Sequence, residues 1–357
     1  MKMKRLIILI LTMLVIITCD IDNSKDKKPD PIINPGDTPD NPITRIENCQ
    51  LTTVAWAELL NEIKAEGKYV ALDLSACTRG NQTSGGGLWS NGIFNTDPYL
   101  GDNLYGHKGK AKIVSLILPE TATGFPEPRI TGESMGLPLY ESFFGSFSAL
   151  KEITGINIIA IERDTFNNLG TLYSPDDGHI IWDRGILTRI NFPNVITIGE
   201  NAFNSCYNLN YANIPKVQII KDQAFCYCNL QNLYIPDIRF IGTQALLFRI
   251  NSRLVVEFIF GEVAPKMDFA VLGLPSHAVS RSITVKVPLG ATGYGEMPND
   301  YIGGDFSKNW GNAFRGMGWN PDKANMTISG TNRYDTNGFG TIDYIMTGIT
   351  LRIEYIP

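Results

Sequence analysis

Three consecutive segments repeat one pattern. "LTRINFPNVITIGENAFNSCYNL" (187–209) is followed by "LNYANIPKVQIIKDQAFCYCNL" (209–230) and "LQNLYIPDIRFIGTQALLF" (230–248). Pro193 and Pro215 lie 22 residues apart, as do Phe203 and Phe225, and Cys206 and Cys228; Pro215 and Pro236 lie 21 apart. Leu187, Leu209 and Leu230 open the units, Ile190, Ala212 and Leu233 come next, and Phe192, Ile214 and Ile235 precede the prolines. One such unit cannot cover its own apolar face, so the period demands that units stack and shield one another, which defines a solenoid.

Each unit has a physical reading. The short alternating stretch predicts a strand, and Pro ends it because it cannot donate to a further ladder bond. The segment after Pro carries Ile198, Ile220 or Ile241 inward, Gly199 or Gly242 is expected to permit a turn, and Ala-Phe fills the interior of the coil. Stacking at about 4.8 Å then gives a parallel sheet on one face, with irregular turns opposite. Cys206 and Cys228 fall on one slot of adjacent coils and read as small packed hydrophobes. Cys226-Tyr-Cys228 has no second such pair nearby, and His107, His179 and His277 are scattered, so neither a metal nor another cofactor is expected. Neighbouring equivalent positions also fit the geometry of a cross-coil disulfide, and the spacing leaves the pairing open.

The pattern I-G-x-x-A-F-x-x-C-x-x-L, with its strand and proline, resembles the BspA-like class of leucine-rich repeats found in bacterial surface proteins. The regular resemblance covers 187–248. "KYVALDLSACT" (68–78) and "KIVSLILPETAT" (112–123) read as further strands, and "LKEITGINIIAIERDTF" (150–166) as a coil lacking the Gly, the Ala and the Cys. The expected solenoid therefore spans 68–290, with insertion loops at 79–110 and 124–149. An open solenoid end exposes core and strand edge, so both ends need closure. Residues 45–67 are expected to form an N-terminal capping helix, with Trp56, Leu59, Leu60 and Ile63 on one stripe, Thr52 or Thr53 as cap and Gly67 as stop. Residues 291–357 read as a small β-rich C-terminal cap, with a short helix at 305–316 and strands around Asn337-Gly338. "SITVKVPLGATGYG" and "ITLRIEYIP" also resemble the C-terminal part of secreted lipoproteins of this class.

The N-terminus bears on location. Lys2, Lys4 and Arg5 precede an apolar run from Leu6 to Ile17, which fits a secretory signal and is too short for a bilayer core of about 30 Å. Val15-Ile16-Ile17-Thr18-Cys19 resembles a bacterial lipobox, with Thr18 where Gly, Ala or Ser is usual. The resemblance implies a signal peptide at 1–18, a lipid on Cys19, and attachment to the bacterial outer membrane or cell surface. Removing 1–18 takes away three basic residues and no acidic one, moving the formal net charge from −5 to −8. Such a chain repels phosphate backbones, so no nucleic-acid partner is expected. Residues 19–44 are dominated by Pro, Asp, Asn and Lys and read as a disordered tether.

Catalytic motifs are few. Gly132-Glu133-Ser134-Met135-Gly136 matches G-x-S-x-G, but a nucleophile elbow needs a strand before Ser134 and a helix after it, and Pro126, Pro128 and Pro138 crowd the stretch. The residues from Asp335 to Asp343 are spaced loosely like a calcium loop without its terminal bidentate Glu, and read as a turn. Gly85-Gly86-Gly87 follows no strand entering a helix. Trp310, Phe314 and Trp319, with Tyr294 and Tyr301, suit either sugar stacking or sealing of the last coil. Alternation places Arg189, Asn191, Tyr211, Asn213, Asn232 and Tyr234 outward on the sheet, and Tyr and Arg are favoured in binding hot spots. The resemblance implies a non-enzymatic role in adhesion, with a host matrix protein or another cell as partner. A serine hydrolase using Ser134 and a structural envelope lipoprotein are the alternatives.

Overall fold

The computed structural model describes residues 34–79, 92–95, 107–126, 130–134, 137–140, 142–167, 169, 172–173, 180–181, 186–247, 255–268, 271, 281–292, 294, 327–329, 341–346 and 349–357. Successive turns of chain each add one strand to a 12-stranded sheet. In order across the sheet these are Ile43–Ile46, Val70–Asp73, Ile113–Ile117, Glu152–Thr154, Arg189–Asn191, Tyr211–Asn213, Asn232–Tyr234, Val255–Ile259, Arg281–Pro288 and Ile349–Ile356, each parallel to the one before. Thr341–Met346 and then Thr327–Ser329 complete the sheet antiparallel. The register aligns Leu72, Leu116, Ile153, Ile190 and Ala212 in one buried column, continued by Leu233, Phe258 and Val285. The parallel-sheet solenoid expected from the repeat is the fold observed.

The opposite side departs from irregular turns. Ala160–Ile161, Thr197–Ile198, Ile219–Ile220, Phe240–Ile241 and Lys266–Met267 pair in parallel as a 5-stranded sheet. It aligns Ile161, Ile198, Ile220, Ile241 and Met267 in a second buried column. Strands of two residues are too short to show alternation, and exist only because the next coil supplies their partners.

A third ladder runs along the Ala-Phe turns. Asp164, Asn201, Gln223 and Gln244 take left-handed backbone, with φ 53°, 54°, 54° and 55°, and Ser205 and Tyr227 follow at 62° and 63°. Every second N–H thereby points at the next coil, as it would in a strand. Asn201 N donates to Asp222 O at 3.0 Å, Phe203 N to Ala224 O at 2.8 Å and Ser205 N to Cys226 O at 2.9 Å. These polar residues supply the turn that the sequence reading assigned to glycine. Gly199 and Gly242 instead allow close approach: a Cβ at 199 would lie 2.6 Å from the Arg163 nitrogen, and one at 242 would lie 2.3 Å from Asp222 Oδ1. Lys221 holds the same slot in the coil between them.

Asp164 occupies the Asn201 slot one coil earlier. Asn167 Nδ2 donates to Asp164 Oδ1 at 2.7 Å, just as Asn204 Nδ2 donates to Asn201 Oδ1 at 3.2 Å. Burial raises the Asp164 carboxyl above its ordinary 3.8. A raised folded-state value means that the native state binds the proton more tightly. The contribution is therefore fully present below the ordinary value and lost as pH rises through the raised one. Asp164→Asn should raise the unfolding midpoint at pH 7 and leave it unchanged at pH 3, measured by urea titration at both.

The interior of the turns is aromatic. Phe166 stacks on Phe203 at 4.9 Å and 4°, and Phe203 on Phe225 at 5.1 Å and 3°, with Phe144 stacked on Phe166 at 4.5 Å. The repeated phenylalanines share one column, as the period requires.

The N-terminal end begins earlier than composition suggests. Residues 34–44, read as the end of a tether, belong to the fold: Ile43 N donates to Tyr69 O at 2.8 Å, and Tyr69 N to Gly36 O at 2.8 Å. Lys68 pairs with Asp37, and Lys151 with Asp40 at 2.5 Å. Low hydrophobicity argues against a core, but a sheet edge also rewards backbone pairing. The helix Thr53–Glu66 buries Trp56, Leu59, Leu60 and Ile63, with Thr52 Oγ1 accepting from Ala55 N at 3.1 Å and Gly67 at φ 67°. It is not a cap ahead of the first coil but the return limb of that coil, between Ile43–Ile46 and Val70–Asp73. Closure comes from Arg45, the register partner of Leu72, so a cation stands where the column is otherwise apolar. Its guanidinium meets Glu47 at 2.6 Å, Glu62 at 2.5 Å and Glu66 at 3.5 Å. An inward charge at an edge deters a further strand from pairing there.

Parts of both expected insertions are packed into the core. Phe94, within 79–110, is buried against Trp56 at a ring distance of 6.3 Å, and Phe125, Phe144 and Phe147, within 124–149, are fully buried. A further hairpin, Leu172–Tyr173 with Ile180–Ile181, interrupts the coil that begins at 150. The expected C-terminal cap is in part a continuation of the sheet, since Ile349–Ile356 pairs parallel with Arg281–Pro288. The short helix at 305–316, the Asn337-Gly338 turn, the signal peptide 1–18 and the tether up to 33 lie outside the described residues.

Candidate protein-binding face

Strands of the main sheet alternate, so each inward column is flanked by two outward ones. In the first, Glu152 pairs with Arg189, Arg189 with Tyr211, and Tyr211 with Asn232. In the second, Thr154 pairs with Asn191 and Asn191 with Asn213; further along, Tyr234 pairs with Ile259. All six residues chosen by alternation thus lie on the outer face of this sheet. Tyr211 is 44% and Tyr234 54% exposed, Arg189 and Asn232 are exposed, and Asn191 and Asn213 are half-buried.

These side chains are held rather than loose. The Arg189 guanidinium lies 4.3 Å from the centre of the Tyr211 ring, and its Nε is 3.6 Å from Glu152 Oε1. Anion, cation and aromatic ring therefore form one row across three coils. The ion pair is solvated and adds little stability; its effect is to fix the guanidinium plane against the ring. Asn213 Nδ2 donates to Asn191 Oδ1 at 2.7 Å, which orients both amides along the second column. Further on, Lys286 bonds Glu257 at 2.8 Å, and that carboxylate raises the ammonium above its ordinary value. Charges alternate along the face, so it suits a polar protein surface better than a polyanion.

Glu152 was missed by the sequence reading, because the coil from 150 to 166 lacks most repeat markers. The alternation in Lys151-Glu152-Ile153-Thr154, carried up one coil from Arg189-Ile190-Asn191, was the available signal.

The cysteines of the repeat are not reactive centres. Cys206 Sγ donates to Phe166 O at 3.1 Å and Cys228 Sγ to Phe203 O at 3.1 Å, each reaching back one coil. Burial pushes the Cys206 and Cys226 thiols up to about 12, and holds Cys228 well above its ordinary value. At neutral pH all three stay as thiols, whereas nucleophiles and metal ligands are thiolates. Among the described residues no group of three or more His, Cys, Asp or Glu side chains is placed to hold a metal ion. Ser134 ends the strand Ile130–Ser134, which pairs antiparallel with Leu137–Tyr140, Ser134 opposite Leu137. The stretch read as an insertion loop is thus a hairpin, and a strand stands where the elbow's helix would have to begin. Tyr294 is buried, and its hydroxyl donates to Gly261 O at 3.0 Å, so it packs inside rather than offering a sugar platform. Tyr301, Trp310, Phe314, Trp319 and most of the stretch 335–343 lie outside the described residues, as do Gly85-Gly86-Gly87 and Cys19.

A stack of short coils with an outward polar face defines a repeat protein of the leucine-rich kind. Residues 182–254 match the family model described as BspA type Leucine rich repeat region, in 6 copies, so this segment of the chain is a BspA-type leucine-rich-repeat region. The ladder register carries the same architecture beyond that segment, from Ile43–Ile46 to Ile349–Ile356. No curated protein and no solved structure matches the chain. Repeats of this type present protein-binding surfaces, typically without enzymatic activity, on proteins that are in general secreted or at the cell surface. Among the described residues no helix is long and apolar enough to cross a membrane.

Proposed function

We propose that this protein is a lipid-anchored adhesin of the bacterial cell surface, whose sheet face binds a protein of the host extracellular matrix or of another cell. The Glu152–Arg189–Tyr211 row carries the reading. A rigid aromatic with a clamped guanidinium beside it meets a partner at low entropic cost, which is what hot spots require. The asparagine ladder and Tyr234 extend the contact along the solenoid. The lipobox-like sequence ending at Cys19 supplies the anchor, and the acidic balance keeps nucleic acids away. Catalysis has no part in this reading.

The test is binding of the purified full chain to immobilised matrix proteins by interferometry. Tyr211→Ala and Arg189→Ala should each weaken binding about 10-fold or more while changing stability by no more than about 0.5 kcal/mol. Variants that bind like the parent would remove the face from the function. Cys19→Ser should shift the chain from the membrane fraction to the soluble one.

A further inference from the structure

We propose that Cys49 and Cys77 are a disulfide-forming pair that ties the first coil of the solenoid to the second. Gln50–Leu51 and Thr78–Arg79 pair in parallel, Gln50 opposite Thr78, and the two cysteines immediately precede these strands. Thr78 N donates to Cys49 O at 2.9 Å, so the backbones are already locked in register at this point. The two sulfurs are 3.4 Å apart. Adjacent parallel strands stand about 4.8 Å apart, within the Cα separation that a disulfide spans. Both residues are thiols in the structure, as are Cys206, Cys226 and Cys228. Cys77 Sγ reaches Glu47 O of the preceding coil at 3.4 Å, much as Cys206 and Cys228 each bond a backbone carbonyl one coil back, and it also meets the sulfur of Cys49.

The place in the fold gives the pair a purpose. Among the described residues Ile43–Ile46 lies at the edge of the main sheet and is paired on one side alone. In a solenoid each coil is held only by its neighbours, so the terminal coil opens most readily. The cysteines are 28 positions apart. Their bond would close a loop that includes the whole helix Thr53–Glu66, removing freedom from the opened state.

The chemistry is thiol–disulfide exchange with a disulfide donor, either glutathione disulfide or an oxidised thiol oxidoreductase. Cys77 is buried, and desolvation, with the Cys49 thiol beside it, raises its pKa. Half-buried Cys49 is therefore the residue that meets the donor. Its thiolate attacks the donor disulfide, forming a mixed disulfide and expelling one donor thiolate. Cys77, as it gives up its proton, attacks the Cys49 sulfur and expels the second. Two thiols become one disulfide, and two electrons and two protons pass to the donor, which leaves as a dithiol or as two thiols. In the cell this step rests on the surface location proposed above; in a redox buffer it does not.

The experiment equilibrates the purified full chain in a glutathione buffer, alkylates it in denaturant without reductant, and maps peptides by mass spectrometry. The expected result is one cross-linked species holding Cys49 and Cys77, split by reductant, with Cys206, Cys226 and Cys228 alkylated. Alkylation of both Cys49 and Cys77, or linkage of either to a repeat cysteine, would overturn the assignment. Reduction should lower the melting temperature of the oxidised chain by about 5 °C or more. Cys49→Ser and Cys77→Ser should melt with the reduced parent and ignore reductant. A cross-linked parent whose melting is indifferent to reductant would refute the tie. A pair that cross-links in the buffer but is found reduced in chain isolated from cells would count against the surface location and for the pairing.

Discussion

Phe203→Ala is expected to destabilise the solenoid by about 3–5 kcal/mol, the largest single-residue effect in the repeat region. The ring is fully buried, stacked between Phe166 at 4.9 Å and Phe225 at 5.1 Å. Truncation removes its burial from water, two stacking contacts and the atoms that keep adjacent turns apart. The cavity cannot collapse easily, because the three ladders fix the spacing of neighbouring coils. Both junctions of the coil weaken together, and in a solenoid those junctions are the whole of its support. Urea unfolding followed by circular dichroism measures the loss. A cost below about 1 kcal/mol would mean that the column does not carry the packing assigned to it. Tyr211→Ala, on the outer face of the neighbouring coil, is the matched control.

Gly261→Ala should cost about 3 kcal/mol, an overpacking effect at the upper end of what one methyl group usually causes. A Cβ on Gly261 would lie 1.9 Å from Pro236 O, a backbone atom that cannot rotate away. Pro236 is pinned as well: Ile235 N donates to Ile259 O at 2.9 Å, and Phe260 N to Lys286 O at 3.0 Å in the coil beyond. Relief requires the coils to separate, which also stretches the Tyr294 hydroxyl bond to Gly261 O. The measurement is again the urea midpoint; an unchanged value would show that the coil junction is soft. Pro193, Pro215 and Pro236 occupy the corresponding slot in earlier coils, so the repeat pattern alone predicts that a Cβ is welcome there.

That contrast shows where the sequence was legible. The period of 22 or 21 residues located the strands, the inward columns and the stacked phenylalanines, because each depends on which residue types recur in one slot. The outward positions of Arg189, Asn191, Tyr211, Asn213, Asn232 and Tyr234 followed from alternation alone. Coils that trade volume with their neighbours were harder to read. Gly155 stands in the slot of Phe192, and a Cβ there would lie 3.1 Å from that ring and 2.9 Å from Leu118 Cδ1. The missing side chain makes room for the neighbour's large one, a compensation between adjacent coils that no single coil reveals.

By itself the sequence determined that this chain must stack, what each coil buries and which residues it shows to solvent, since these follow from hydrophobic period and residue size. Only the tertiary structure decided how the coils are held: the second sheet, the left-handed ladder on Asn201, Gln223 and Gln244, the entry of residues 34–44 into the fold, the Arg45 plug and the meeting of Cys49 with Cys77. Each of these depends on a backbone group or side chain whose partner lies one coil away, and pairing across that gap comes into being only when the coils are brought together.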